Sequence, residues 1–371
     1  NIAANTLTDL AGNSNNAATQ YSITSVRTAP TVTSVSSTTA NGSYSSGPID
    51  VTVNFSKTVT ITGAPRIQLE TGTTDRYATY ANGNGTSALH FTYTIVSGDT
   101  TTDLDYKATN SLELNGGTIK DSAANNAVLT LASPGTANSL GANKDIVIAT
   151  TAPTVTLTTA ATSPTNAAFT VTANFTKSVT GLEEGEITVT NGKASSLSGS
   201  GSSYTFTVTP TTDGPVTVQI PANKAQDSAG NGNSVSNELS ITYDTSPPDT
   251  HLTSTPSNPS NSRTATFEFS SSDPTATFDC KIDVDSWKDC SSPKTYTGLT
   301  DGFHKFNVTA VDPAGNKDPS PEEYPWTITT TKPTVTLTTT ATSPTNAAFT
   351  VTAAFSKSVT GLALGEITVT N

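Results

Sequence analysis

Residues 151–191 read TAPTVTLTTAATSPTNAAFTVTANFTKSVTGLEEGEITVTN, and residues 331–371 repeat them as TKPTVTLTTTATSPTNAAFTVTAAFSKSVTGLALGEITVTN. The two copies are 180 residues apart and identical at 35 of 41 positions. In the first copy Phe169, Val171, Ala173 and Phe175 alternate with polar residues. Such alternation is typical of an antiparallel strand with one buried and one solvated face. The stretch therefore predicts β-structure that is built in repeated modules.

The end of the same module recurs at the start of the chain. Residues 1–24, NIAANTLTDLAGNSNNAATQYSIT, align without gaps to residues 219–242, QIPANKAQDSAGNGNSVSNELSIT. Between the repeated start and the repeated end, the module at 150–245 has about seven alternating segments, which predicts two antiparallel sheets stacked face to face. The chain thus begins in one module and stops in another, and we interpret it as a window from a longer repeat array.

The whole chain is expected to be all-β, because no window shows apolar residues at a sustained helical spacing. We predict tandem immunoglobulin-like sandwiches arranged end to end. Strands are expected at 19–26 and 127–132, among other places. The predicted modules are the C-terminal part of a repeat at 1–28, a larger repeat at 29–149, a repeat at 150–245, a repeat at 246–330, and the N-terminal part of a repeat at 331–371.

Composition excludes some classes of partner. The formal net charge is −12, from 30 acidic and 18 basic side chains. Nucleic acids and anionic membranes both require clustered Lys and Arg, so neither is expected as a partner. No apolar run is long enough to span a bilayer, and no membrane insertion is expected in this segment.

The two cysteines, Cys280 and Cys290, lie on a predicted hairpin with nine residues between them. This spacing favours a disulfide, which would indicate an oxidising, extracellular setting. Two free thiols are the alternative. A metal site is disfavoured because no further soft ligand lies nearby. The bridge would close a short loop and stabilise the module by about 2–3 kcal/mol.

Several segments of the repeat resemble a known family of repeats. The segments PTVTLTT, FTVTANFTKSVTGL, EITVTN and DSAGN resemble the bacterial Ig-like repeats of large secreted surface proteins and adhesins. The modules at 29–149 and 246–330 are similar to other repeats of such proteins. The resemblance implies a surface or secreted location and a structural role. It implies no particular ligand.

No catalytic constellation is present in the sequence. The three histidines lie in separate predicted modules, and no nucleophile elbow, zinc-protease motif or phosphate-binding glycine loop occurs. The chain is therefore expected not to be an enzyme.

One polar motif recurs, Asp-x-Ala-Gly-Asn, at 9–13, 227–231 and, as DPAGN, 312–316. Asp, Gly and Asn favour turns, so the motif is explained by loop conformation alone. The alternative is calcium, because loops at the entering end of a sandwich would bring several carboxylate and carbonyl oxygens together. The candidate calcium ligands at module joints are Asp244, Asp249, Asp273, Asp312, Asn316, Glu186, Asp227 and Asn231.

Three functions compete at this level. The first is the stalk of a bacterial extracellular adhesin or surface fibre, which extends a binding head from the cell. The second is a subunit of a self-assembling filament that is completed by strand addition between chains. The third is a non-catalytic spacer of a secreted polysaccharide-active enzyme. The expected partners are neighbouring repeats or other copies of the chain, and the receptor is not encoded in any recognisable motif.

Overall fold

A computed structural model describes residues 2–25 and 27–370 and confirms the all-β prediction. It divides into two compact units, one of Asn1–Ala160, Thr170–Val208 and Thr217–Leu239, the other of Ala161–Phe169, Thr209–Val216 and Ser240–Asn371. The boundaries of the five predicted modules stay predictions.

Ten strands form between residues 29 and 149. They are β1 (Val32–Ser36), β2 (Gly42–Tyr44), β3 (Pro48–Thr62), β4 (Arg66–Leu69), β5 (Arg76–Asn82), β6 (Thr86–Thr94), β7 (Thr100–Thr101), β8 (Leu112–Glu113), β9 (Thr118–Lys120) and β10 (Ile146–Ala149). One sheet has the order β1-β3-β6-β5-β4-β8, with β9 also paired to β3, and the other has the order β2-β10-β7. The only α-helix among the described residues, α1 (Leu140–Asn143), begins after Ser139, whose hydroxyl accepts the Ala142 N–H at 3.1 Å.

The predicted strand at 127–132 is wrong. Burial does alternate there and Leu131 lies in the core. However, the Val128 N–H donates to the Pro30 carbonyl and the Leu131 N–H to the Thr109 carbonyl. Because these acceptors lie on two different segments, no continuous ladder forms, and a strand is defined by its ladder.

Six strands form between residues 150 and 245. They are β11 (Val155–Thr159), β12 (Phe169–Val179), β13 (Thr188–Thr190), β14 (Gly192–Pro210), β15 (Gly214–Gln219) and β16 (Leu239–Tyr243). The sheets have the orders β11-β12-β14 and β13-β15-β16. Phe169, Val171, Ala173 and Phe175 are all buried, which confirms the inward face predicted from the alternation.

Seven strands form between residues 246 and 330. They are β17 (Thr250–Ser254), β18 (Ala265–Ser271), β19 (Thr277–Ile282), β20 (Lys288–Cys290), β21 (Lys294–Tyr296), β22 (Gly302–Val311) and β23 (Glu322–Ile328). The sheets have the orders β17-β18-β21 and β20-β19-β22-β23. Their core is aromatic, with Phe267, Phe306 and Trp326 almost fully buried.

The repeated stretch at 331–370 forms a two-stranded sheet, β24 (Val335–Thr339) with β25 (Val351–Phe355). The strand predicted at 19–26 does not form over residues 19–25, and Val26 lies outside the described residues. A strand requires a hydrogen-bonded neighbour, and no ladder to residues 19–25 exists among the described residues.

Candidate functional site: the module joints

The Asp-x-Ala-Gly-Asn loop closes on its own aspartate. In residues 227–231 one Asp227 carboxylate oxygen accepts the N–H groups of Ala229 at 3.0 Å and Asn231 at 2.9 Å. The Asn231 side-chain amide donates to both carboxylate oxygens, at 3.1 and 3.0 Å. Charge-assisted bonds of this kind are among the stronger hydrogen bonds in proteins. The motif is therefore a self-closed loop, which we call the Asp-Asn clasp.

The clasp keeps its aspartate ionised. Burial would raise the pKa of Asp227, but hydrogen bonds from Asn231 and Lys177 outweigh it and hold the pKa below the ordinary value. The same bonds recur in residues 9–13, where the Asn13 side chain lowers the pKa of Asp9. Asp121 also closes such a loop with Asn125, although its sequence, DSAAN, lacks the glycine.

Two of the clasps also bind the chain that enters their module. The Asn231 side-chain amide donates to the Ala149 carbonyl at 2.7 Å. In the next module the Asn316 amide donates to the Asp244 carbonyl at 2.8 Å, and the Asn316 oxygen accepts from Asn166 at 3.0 Å. In both loops the side-chain amide of the asparagine at the fifth position thus binds a main-chain carbonyl of the joint.

A lysine binds the joint from a second direction. Lys177 lies in β12, two residues after Phe175. Its ammonium donates to the Thr151 carbonyl and pairs with Asp227 at 3.0 Å. Lys57 binds the Thr28 carbonyl and Lys357 the Thr331 carbonyl in the same way. The signal in the sequence is Phe-[Ser/Thr]-Lys, which occurs three times, but sequence reasoning did not assign it a role.

The hydroxyl within that motif fixes the same segment. The N–H groups of Thr31, Thr154 and Thr334 donate to Ser56, Thr176 and Ser356 at 3.0, 3.0 and 2.8 Å respectively. The module at 246–330 keeps this bond, from the Asp249 N–H to Ser272 at 2.8 Å. It has Asp273 where the others have lysine, and that carboxylate accepts both the N–H and the hydroxyl of Thr275.

The turn Thr-Asp-Gly binds the chain that leaves a module. Asp213 accepts the Thr245 N–H at 2.9 Å and the Ser246 hydroxyl at 2.7 Å. Asp301 accepts the Thr330 N–H at 2.9 Å and the Thr330 hydroxyl at 2.6 Å. The glycine after each aspartate has a positive φ, 125° at Gly214 and 137° at Gly302, which other residues rarely adopt.

The predicted calcium ligands are dispersed by these bonds. Asp312 and Asn316 do meet at the joint near 244, but Asp244 contributes its backbone carbonyl, while its carboxylate accepts the Ser246 N–H. Glu186 pairs with Lys224 at 3.4 Å, and Asp249 lies 3.4 Å from His251. Among the residues that the structure describes, no three His, Cys, Asp or Glu side chains are grouped as metal ligands. The Asp227, Asp244 and Asp312 carboxylates thus accept N–H hydrogen bonds within their loops, and calcium at the joints stays a prediction.

The histidines pair with carboxylates within their own modules. His90 lies 3.0 Å from Asp50, and His304 lies 2.8 Å from Asp283 and 2.9 Å from the Thr300 carbonyl. His304 also packs against Trp326, with ring centroids 5.4 Å apart. These contacts hold segments of a module together.

The disulfide Cys280–Cys290 is formed, with Cα atoms 5.8 Å apart, and joins β19 to the short edge strand β20. Phe278 pairs with Cys290 and Cys280 with Lys288 in the ladder. The bridge therefore fixes an edge strand that has only three residues.

Replacing both cysteines by serine is expected to lower the free energy of unfolding of this module by about 2.5 kcal/mol, because the unfolded chain regains the entropy of a short loop. Urea unfolding of the oxidised protein and the double variant, followed by tryptophan fluorescence, measures the difference. Equal transition midpoints would show that the bridge contributes nothing.

Comparisons with known proteins agree with the fold. Residues 149–243 match the family of the bacterial Ig-like domain (Big_12). Four tandem repeats from the extending region of a large adhesion protein align with 88% of this chain and 81% of their own, at 15% identity and a TM-score of 0.33. A Ca2+-stabilised adhesin with which an Antarctic bacterium binds ice aligns with 86% of this chain and 79% of its own, at 15% identity and a TM-score of 0.32.

Invasin, a bacterial integrin-binding protein, aligns with 82% of this chain and 61% of its own, at 13% identity and a TM-score of 0.28. No curated protein matches the chain. No helix among the described residues is long and apolar enough to cross a membrane.

Proposed function

We propose, from the premise that residues 149–243 are a bacterial Ig-like domain, that this chain is a spacer segment of an extracellular bacterial adhesin or surface fibre. In this role it bears load between a binding head and the cell and has no catalytic activity. The joints support the proposal, because a spacer needs its modules to be tied to one another as well as folded.

The joint at Ala149–Thr151 carries the proposal. The Thr150 hydroxyl donates to the Asp99 carbonyl at 2.9 Å and accepts the Gly98 N–H at 3.0 Å, both in the preceding module. The next module binds the Ala149 carbonyl through Asn231 and the Thr151 carbonyl through Lys177. The three consecutive residues Ala149–Thr151 are thus bound partly by the preceding module and partly by the next one.

Replacing Asn231 by alanine is expected to loosen this joint. The change removes the 2.7 Å bond to the Ala149 carbonyl and the amide bonds to Asp227, at a cost of about 1–2 kcal/mol. Pulsed electron spin resonance between a label at Thr86 and one at Ser198 should show a broader distance distribution than in the parent chain.

The matched control is Asn13→Ala, which opens the same clasp in residues 9–13, where the amide donates to Asp9 and lies outside this joint. The control should leave the distribution unchanged. An unchanged distribution in the Asn231 variant would show that the bond does not restrain the joint, and the load-bearing proposal would lose its main support.

Calcium at the joint near 244–249 stays a prediction from the sequence. For an ion to bind Asp312, the bonds that Asn316 donates to it at 2.8 Å would first have to break. Calorimetric titration of the chain with calcium tests this prediction, and no heat beyond dilution would contradict it. Heat that disappears in the Asp312→Ala variant would instead establish a joint site.

The extracellular location belongs to the same proposal. A disulfide is maintained in oxidising compartments, which supports a secreted or surface protein. The stalk is preferred to the enzyme spacer because joint ties are what a load-bearing array requires.

A further inference from the structure

The ring of His304 on β22 is buried between two hydrogen-bond acceptors. Its Nδ1 lies 2.8 Å from an Asp283 carboxylate oxygen, and its Nε2 lies 2.9 Å from the Thr300 carbonyl oxygen. A carboxylate and a carbonyl both accept hydrogen bonds, so each ring nitrogen satisfies its neighbour only by carrying a proton. A ring with both nitrogens protonated is a cation, and the geometry therefore fits the imidazolium form of His304.

Among the described residues, Asp283 supplies the charge that contacts this ring. It lies in the turn after β19 and also accepts the Lys305 N–H at 2.8 Å, so this turn is bound to β22 twice. From β23 the ring meets Trp326, which carries no charge. The other charged side chains of these segments act elsewhere: Lys281 lies over Trp287, Asp285 acts on Tyr296, Lys305 pairs with Glu323 and Asp301 pairs with Arg263.

The Thr300 carbonyl belongs to the Thr-Asp-Gly turn that binds the chain leaving this module. The next residue, Asp301, accepts the Thr330 N–H at 2.9 Å and the Thr330 hydroxyl at 2.6 Å. Arg263 donates to Asp301 at 2.9 Å and to the Thr330 hydroxyl at 3.3 Å. The buried ring of His304 therefore braces the same turn that fixes the joint at Thr330.

The corresponding turn of the preceding module has no titrating brace. There Asp213 binds Thr245 in the way that Asp301 binds Thr330. When the two Thr-Asp-Gly turns are aligned, the position of His304 is taken by Val216, which is fully buried. Valine carries no proton that could be lost, so the two joints should differ in their response to pH.

The sign of that response follows from the two acceptors. Burial would lower the pKa of His304, but the bonds to Thr300 and Asp283 outweigh it and raise the pKa above the ordinary 6.5. A raised pKa means that the imidazolium stabilises the fold fully below the unfolded value, and that this contribution is lost as pH rises through the folded value. The neutral ring has one nitrogen without a proton, which then faces an acceptor, so one of the two bonds breaks.

We propose that His304 is a pH-sensitive lock on the joint at Thr330. As an imidazolium it braces the turn at 300–302, and when it loses its proton it releases that turn and with it the chain that leaves the module. The joint at Thr245 is held by a turn without this lock and keeps its restraint at the same pH. The inference concerns one joint and does not depend on the spacer role.

Hydrogen exchange of the full chain, measured by NMR between about pH 6 and pH 9 and expressed as protection factors, tests the lock. The Thr330 N–H should lose about tenfold in protection as His304 loses its proton, because one bond to a charged group contributes about that factor. The Thr245 N–H is the control and should keep its protection. The ring signals of His304 in the same samples give its titration midpoint, which we expect above 6.5.

Asp283→Asn separates the proton from the packing. Its amide can donate to Nδ1 of a neutral ring while its oxygen accepts the Lys305 N–H, so both bonds of His304 survive without charge. Protection of the Thr330 N–H should then be independent of pH. His304→Val, which copies the other turn, should also remove the pH dependence, with lower protection throughout.

Four results would overturn the proposal. They are a His304 midpoint at or below 6.5, constant protection of Thr330 in the parent chain, an equal fall at Thr245, and an undiminished pH dependence in the Asp283 variant.

Discussion

Replacing Phe267 by alanine should lower the free energy of unfolding of the module at 246–330 by about 3–5 kcal/mol. The Phe267 ring is fully buried and stacks on Phe306 with centroids 4.0 Å apart. It also meets the edge of Trp326 at 5.2 Å, and both Tyr296 and Tyr324 pack against it. Truncation would leave a cavity that four aromatic rings cannot fill without moving.

The chain offers a selective probe and a matched control for this experiment. Its only two tryptophans, Trp287 and Trp326, both lie in this module, so fluorescence during urea unfolding reports it separately from the rest. Phe303→Ala removes the same side chain from a position that is 68% exposed, and it should cost less than about 0.5 kcal/mol. Equal losses for the two variants would contradict the assignment of Phe267 as the centre of the core.

The second large effect is expected at Asp99. Its carboxylate is 1% exposed and accepts the Arg76 guanidinium at 2.9 Å, the Tyr93 hydroxyl at 2.7 Å and the Val96 N–H at 3.0 Å. Removing one partner of a buried, hydrogen-bonded charge pair is strongly destabilising. We expect Asp99→Asn to lower the free energy of unfolding at pH 7 by about 3 kcal/mol, the lower end of that range, because Arg76 is partly solvated.

The effect of Asp99 should depend on pH with a defined sign. Burial would raise the pKa of Asp99, but the bonds from Val96, Tyr93 and Arg76 outweigh it and hold the pKa below the ordinary value. A lowered pKa means that the carboxylate stabilises the fold above the unfolded value, near 4, and that this contribution is lost as pH falls through the folded value. The parent chain should therefore lose stability in acid more steeply than the asparagine variant.

Hydrogen exchange of peptides from β6 measures this module separately from the others. Asp103→Asn is the control, because burial raises the pKa of Asp103 and the charges of Asp105 and Asp145 raise it further. Neutralising Asp103, whose charge is disfavoured in the folded state, should leave stability at pH 7 unchanged or slightly increased. A loss as large as that at Asp99 would show that loss of charge in general, and not the buried bonds, sets the stability.

The joints show why part of the site escaped prediction. The Asp-x-Ala-Gly-Asn motif was visible because its residues are close in sequence, and a turn was one of its two predicted roles. Lys177 and Thr151 are 26 residues apart, and Asn231 and Ala149 are 82 apart. No local pattern indicates that these atoms meet. The acceptors are backbone carbonyls, which every residue carries, so the sequence contains no complementary partner to look for.

The sequence by itself determined the all-β class and the inward residues of β12 and favoured the disulfide, because alternation and close cysteine spacing are local consequences of strand and hairpin geometry. It also showed that residues 151–191 and 331–371 are one module start used twice. Only the tertiary structure showed which groups bind the carboxylates of the acidic loops. The partners of a carboxylate depend on which donors the fold brings within about 3 Å of it, and here Asn231 and Lys177 bind Asp227 and Asn316 binds Asp312.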